Sequence, residues 1–130
     1  MSRTVLLIED NEQNRYLLTF LLNAHGYTVV SAPDGQRGIE LAKTFPPDVI
    51  LLDIQLPEID GHAVARRLRS IESLRGIPII AVTSYAMVGD REKALAVGCS
   101  GYIEKPINPE TFVAEIVRFG APPPVAPKTL

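Results

Sequence analysis

The sequence predicts an α/β fold: one parallel sheet of five strands, covered by helices on both faces. Three observations predict it. Short apolar runs alternate with helical patterns along the chain, no hairpin signal joins any two runs, and the third run, Val49 to Leu52, is apolar at every position. A half-exposed strand would alternate apolar with polar residues, so an unbroken run marks a strand buried on both faces. Strands separated by helices pair in parallel through crossovers.

Thr4 to Ile8 is the first strand, rich in residues that suit a pleated surface, and it ends at Glu9-Asp10. From Asn11 to His25, Leu17, Leu18, Leu21, Leu22 and Ala24 recur at helical spacing, and Gly26 stops the helix. Thr28 to Ala32 is the second strand. Asp34-Gly35 opens a second helix, with Ile39, Leu41, Ala42 and Phe45 expected on its buried face and Pro46-Pro47 closing it. The third strand surfaces at Asp53. Pro57 and Asp60-Gly61 then turn the chain into a helix from about His62 to Ser70, with Val64, Ala65 and Leu68 inward.

Ile79 to Val82 is the fourth strand and finishes at Thr83-Ser84. A loop from Ser84 to Gly89 leads to a short helix whose apolar anchors are Ala94, Leu95 and Val97, few enough to predict modest local stability. After a turn from Gly98 to Gly101, Tyr102-Ile103 forms the fifth strand, with Lys105-Pro106 directly behind it. Pro109 sits in the first turn of a last helix striped by Phe112, Val113, Ile116, Val117 and Phe119. Residues 1–119 are expected to form the folded domain. Residues 120–130, proline-rich and without a core pattern, are expected to be an extended or disordered tail.

Composition narrows the function. With 130 residues, 46% hydrophobic and 22% charged, the chain suits one ordinary globular domain. A net charge of -2 gives no electrostatic grip on nucleic acid or anionic membrane. The single Cys99 excludes an internal disulfide and reads as a small buried hydrophobe. The N-terminus has neither a signal-peptide pattern nor a spanning run, so a cytoplasmic location is expected.

Right-handed crossovers leave few ways to wind five such strands, and the flavodoxin-like order 2-1-3-4-5 is expected. It makes the two strands that end in acids neighbours, crowding Glu9, Asp10 and Asp53 into one crevice where like charges repel. A hard divalent cation resolves that conflict. Mg²⁺ takes oxygen ligands and keeps several waters, so Asp10 and Asp53 are expected as direct ligands, the Gln55 carbonyl as a third and Glu9 through water. The fourth and fifth strands end at Thr83 and Lys105, a hydroxyl donor and a compact cation suited to holding a tetrahedral dianion beside the metal. Separately each is commonplace. Together, on successive strand ends, they describe a site that handles a phosphoryl group.

At these residues the sequence resembles the receiver domains of bacterial two-component response regulators. The resemblance spans about Arg3 to Phe119 and rests on IEDN at Glu9-Asp10, DIQLPEIDG from Asp53, VTSYA around Thr83 and EKPIN around Lys105. It implies that Asp53 accepts a phosphoryl group from a sensor histidine kinase or a histidine phosphotransfer protein. It further implies that Glu9, Asp10 and Gln55 place Mg²⁺, that Lys105 pairs with the phosphoryl group, and that Thr83 and Tyr102 form the switch. DIQLPEIDG and the wording from Ala81 to Ile107 are especially similar to the stand-alone DivK type, and hybrid-kinase receivers share much of this wording. Output is then expected by protein docking on the face of the fourth helix, fifth strand and fifth helix, around Ala94, Tyr102, Lys105 and Ile107, with no direct DNA or membrane contact. Tyr102 is expected to turn into space vacated when Thr83 moves. Gln55 and Ser84 depart from the family's common residues beside the phosphoryl position and bear on how long the modification lasts.

Other readings fit less well. An aspartyl-phosphate phosphohydrolase of the haloacid-dehalogenase class needs a second acid where Gln55 stands, leaving no general acid for fast turnover. No enzymatic turnover is therefore expected beyond self-phosphorylation and slow self-dephosphorylation. A flavodoxin would need a phosphate loop after Ile8, which is absent, and a phosphorylation-independent interaction module is the alternative in which Asp53→Asn would retain function in cells. His25 and His62 lie in no kinase context. Finally, Lys105 must turn back over the sheet edge directly after a strand, and an X-Pro bond adopts cis for only about 0.5 to 1 kcal/mol, so a cis Lys105-Pro106 bond is expected.

Overall fold

In a computed structural model describing residues 3–56, 59–84 and 88–124, five parallel strands lie between two layers of helices. Strand β1 (Arg3–Ile8) pairs with β2 (Tyr27–Ala32) on one side and β3 (Val49–Asp53) on the other. Strand β4 (Ile79–Thr83) follows β3, and β5 (Gly101–Glu104) closes the far edge, which gives the expected order 2-1-3-4-5. The helices are α1 (Glu12–Ala24), α2 (Gly35–Thr44), α3 (Gly61–Ser70), α4 (Asp90–Ala96) and α5 (Phe112–Arg118), with a 3₁₀ turn over Glu72–Leu74 that the periodicity did not signal. Pro57, Tyr85 and Met87, expected in turns and loops, lie outside the described residues, as does the chain beyond 124.

Alternation along the strands divides the core in two. Leu6, Ile8, Ile50, Leu52, Ile79 and Ala81 point to one face, where Ile39 and Ala42 of α2, Val64, Ala65 and Leu68 of α3, and Ala94 of α4 cover them. Val5, Leu7, Val49, Leu51, Ile80 and Ile103 point to the other, against Leu18 and Leu22 of α1 and Phe112 and Ile116 of α5. Strand β3 is central, so all five of its side chains are buried. Its apolar residues contribute roughly 1.5 to 3 kcal/mol each by leaving water, which locks the strand that carries Asp53.

Capping fixes where several helices begin. Asn11 Oδ1 accepts the Asn14 N–H at 2.9 Å and Asp34 Oδ1 accepts the Arg37 N–H at 2.8 Å, each satisfying an orphan donor of the first turn. Helix α4 lacks such a cap: it follows Gly89 at φ +90°, and Ala94 is its one buried residue. The other end of α4 is tied down. Arg69, in the last turn of α3, donates from Nε to the Gly98 carbonyl at 2.8 Å and from Nη1 to the Ile77 carbonyl at 2.6 Å.

Several expectations about packing are corrected. Phe45 is 71% exposed because α2 ends at Thr44, and Phe45, at φ -132° and ψ 83°, has left the helical path and its buried face. Helix α2 instead lies close on the sheet at Gly38, where an added Cβ would lie 2.4 Å from Ile8 Cδ1. Leu17 and Leu95 are exposed, each about 100° around its helix from a buried neighbour, Leu18 or Ala94. Ala24, in the last turn of α1, is exposed as well. Helix α5 starts at Phe112, so Pro109 sits in the preceding turn. The chain also stays on the domain beyond Gly120. Ala121 is buried, and the Tyr27 hydroxyl donates to the Pro122 carbonyl at 2.8 Å. Cys99 is buried as expected, and burial pushes its thiol up to about 11.

Candidate phosphoryl and metal site

Strand register builds the site. Ile8 is level with Leu52, so Glu9 emerges beside Asp53, while Asp53 is level with Val82 and Thr83 with Glu104. The carboxyl ends of β1, β3, β4 and β5 therefore present Glu9-Asp10, Asp53, Thr83 and Lys105 along one edge of the sheet, the edge at which ligands bind in open α/β sheets.

Carboxylate oxygens of Glu9, Asp10 and Asp53 all lie within 4.8 Å of one another. Glu9 and Asp53 are buried and Asp10 is exposed. Lys105 reaches across from β5, with Nζ 2.5 Å from Glu9 Oε1 and 3.7 Å from Asp53 Oδ2. Glu9 Oε2 accepts the Asn11 N–H at 3.3 Å, and Asp53 Oδ1 accepts the Gln55 N–H at 2.9 Å. The Lys105-Pro106 bond is cis, as expected.

The two buried acids titrate as a pair. Burial and a hydrogen bond shared with Glu9 push Asp53 up to about 7, against the smaller opposing pull of the Gln55 amide and Lys105. Burial opposes ionisation of Glu9 too, but its hydrogen bonds with Asp53 and Lys105 outweigh that and hold it below 4.5. Asp53 is thus the member of the pair that keeps the proton. Three acids with one lysine beside them carry more negative charge than the crevice accommodates, and the donors are all hard oxygens. That set fits Mg²⁺, which Asp10 and Asp53 would hold with Glu9 behind them.

Of the residues expected at the site, Glu9, Asp10, Asp53 and Lys105 come together. Thr83 is buried at the neighbouring strand end, where its carbonyl accepts the Lys105 N–H at 2.7 Å. Gln55 is adjacent through its N–H. Tyr102 lies apart, packed against the core under α2, α3 and α4. Its hydroxyl is buried, with no hydrogen-bond partner among the described residues. Ala94, expected on the docking face, is corrected: fully buried, it cannot be a docking contact.

Sequence reasoning missed Arg15. Its Nη1 donates to the main-chain carbonyls of Glu9 at 2.8 Å and Asp10 at 3.0 Å. The available signal was a lone arginine in the first turns after an acid pair. A groove of about 700 Å³, lined mostly by apolar side chains including Leu17, Phe20, Leu21 and Ile107, also opens beside Lys105.

Comparison with known proteins agrees with this geometry. Residues 5–117 match the family described as response regulator receiver domain. The chain is 44% identical over 119 residues to the polar-differentiation response regulator DivK of Brucella ovis, covering 92% of this chain and 97% of that protein. Among solved structures it is similar to the receiver domain of sensor histidine kinase PA1611 from Pseudomonas aeruginosa PAO1, which has a magnesium ion coordinated in its active-site cleft. That match has 34% identity and a TM-score of 0.84, and covers 92% of this chain and 98% of the other. Vibrio cholerae chemotaxis protein CheY4 superposes with a TM-score of 0.87 at 28% identity, over 92% of this chain and 99% of that one.

Proposed function

The chain belongs to the response regulator receiver domain family, a phosphoacceptor signalling family, and from that premise we propose that Asp53 is the phosphoacceptor of a two-component or phosphorelay system. The observation that carries the assignment is the convergence of Glu9, Asp10 and Lys105 on one buried carboxyl at the end of the central strand. An Asp53 oxygen attacks the phosphorus of a partner phosphohistidine, the P–N bond breaks, and the imidazole leaves. Mg²⁺, when bound, would supply positive charge that favours ionised Asp53 and offsets the charge of the transferring group. Asp10 and Asp53 would hold it directly, with the Gln55 carbonyl and, through water, Glu9 completing the protein's share. Lys105 leaves Glu9 to pair with the new phosphoryl oxygens, and the Thr83 hydroxyl donates to them.

A sensor histidine kinase or histidine phosphotransfer protein is the donor, and the apolar groove beside Lys105 with the exposed Tyr16, Leu17 and Phe20 of α1 supports docking of a helical partner there. Output is a change in the α4–β5–α5 surface. The sparse anchoring of α4 and the buried Tyr102 hydroxyl, without a hydrogen-bond partner among the described residues, support it, and Leu95, Tyr102, Lys105 and Ile107 are the contact residues, with no DNA or membrane partner. The protein acts as a switch, with only self-phosphorylation and slow self-dephosphorylation as chemistry. No helix among the described residues is long and apolar enough to cross a membrane, and a reduced buried thiol suits the cytoplasm, where we place it. We also read residues 1–119 as the receiver domain and 120–130 as a tail whose first residues, Ala121 and Pro122, pack on it.

Acetyl phosphate with Mg²⁺, read by intact mass, tests the assignment. Wild type should gain one phosphoryl group and lose that gain in EDTA. Asp53→Asn should gain none, and labelling of that variant at wild-type stoichiometry would show the acceptor is elsewhere.

A further inference from the structure

We infer that Arg15 is a positioning residue for the divalent-cation site: its guanidinium, forked between the main-chain carbonyls of Glu9 and Asp10, holds the acid pair where it captures Mg²⁺. The inference rests on the receiver reading above and concerns a residue outside the acid–lysine cluster. Glu9 is the last residue of its segment on the sheet ladder, its N–H donating to the Ala32 carbonyl at 3.1 Å, and α1 does not begin until Glu12. Between them the chain turns while carrying two like charges toward a third, and repulsion favours opening that turn.

Arg15 Nη1 closes it, with bonds of 2.8 and 3.0 Å to successive carbonyls. The residue is itself rooted in the helix, since its N–H donates to the Asn11 carbonyl at 3.0 Å and Asn11 caps the same turn. Both bonds leave one nitrogen, whose two N–H groups are held in the guanidinium plane, and bonds from a charged donor are the stronger kind. Among the described residues no carboxylate lies within ion-pair distance of Arg15, so its bonds go to the backbone that aims the acids.

This arrangement makes two effects oppose each other. As a cation near a cation site, Arg15 repels Mg²⁺, so removing its charge alone would tighten binding. As a clamp on the loop, it pre-organises the ligands, so removing it weakens binding. Arg15 is half-buried and its charge is screened by water, which leaves the clamp dominant.

The test is a Mg²⁺ titration without phosphodonor, followed by amide shifts of residues 9–11 and 53–55, on wild type, Arg15→Met and Arg15→Lys. Substituting groups that orient metal ligands typically weakens affinity by about tenfold or more, and about tenfold is expected for Arg15→Met. Arg15→Lys, which keeps the charge on a shorter stem with freely rotating donors, should weaken binding by less. At saturating Mg²⁺ the phosphorylation rate from acetyl phosphate should return to within about twofold of wild type, because the effect lies in metal capture. Arg15→Gln serves if the Met variant does not fold. Wild-type or tighter affinity in the neutral variant overturns the inference, as does full affinity in the Lys variant. A wild-type protein with no saturable Mg²⁺ shift overturns the metal reading itself, a result separable from failure of Arg15 alone.

Discussion

Raising the pH should weaken the metal-free fold because Asp53 must then ionise inside it. Burial and the hydrogen bond with Glu9 lift its pKa from 3.8 to about 7. An acid whose pKa rises on folding holds its proton more tightly in the native state, so across that window the folded chain carries the extra proton and stability falls as pH rises. At about 1.4 kcal/mol per pH unit, moving from about pH 5 to about pH 8 removes on the order of 3 kcal/mol, a large share of a typical domain's stability. Glu9 shifts the opposite way, so its contribution is intact throughout this range and fades only in more acid solution. The assay is urea unfolding in EDTA at the two pH values for wild type and Asp53→Asn. The asparagine cannot ionise, and every other titratable group is common to both proteins. Wild type should lose about 3 kcal/mol relative to the variant, and Mg²⁺ should restore much of it at the higher pH by favouring the ionised carboxylate. Parallel pH profiles, or a wild type that gains on the variant toward alkaline pH, would refute the reasoning.

Other perturbations follow from the same geometry. Lys105→Met strands the buried Glu9 carboxylate and should cost about 3 kcal/mol near neutral pH in urea melts, with recovery on acidification as Glu9 takes up a proton. Gly61→Ala should destabilise by about 1 to 3 kcal/mol, since the added Cβ would lie 2.4 Å from Ile54 Cα and displace the backbone directly after Asp53. Phe112→Ala should cost about 3 to 5 kcal/mol in thermal or urea unfolding, whereas Phe45→Ala should stay within about 0.5 kcal/mol, because the first ring is fully buried and the second faces water.

How much of this was legible in the chain depended on the range of the signal. Val49 to Leu52 announced its double burial because no polar residue interrupts it, and once the sheet order follows, Glu9 and Asp53 must be neighbours. Lys105 was legible for the same reason, as the residue after a strand end. Helical faces were read less well. Phe45 has the right spacing for the buried stripe of α2, but one non-helical residue at the C-cap sent it to solvent, a backbone event that spacing cannot register. Leu95 shows the limit of composition on a seven-residue helix, where one side alone meets the core. Arg15 and Arg69 were hard to read because both bond to main-chain carbonyls, which leave no trace in a sequence, and for Arg15 only its place after the acid pair was a signal. The raised pKa of Asp53 depends on its burial and on the shared proton with Glu9, both properties of three-dimensional packing.

The bonds from Arg69 to the carbonyls of Gly98 and Ile77 give α4 a fulcrum. Pinned at its C-terminal end and without a side-chain cap at Gly89, this helix would act as a lever in any rearrangement, turning about Gly98. Displacement along a lever grows with distance from the pivot. With seven residues at about 1.5 Å each, the arm is about 10 Å, and a tilt of about 10° would carry its N-terminal end nearly 2 Å while the pinned end stays still. A partner touching Asp90 and Arg91 would therefore sense the full stroke, and one touching Val97 almost none of it.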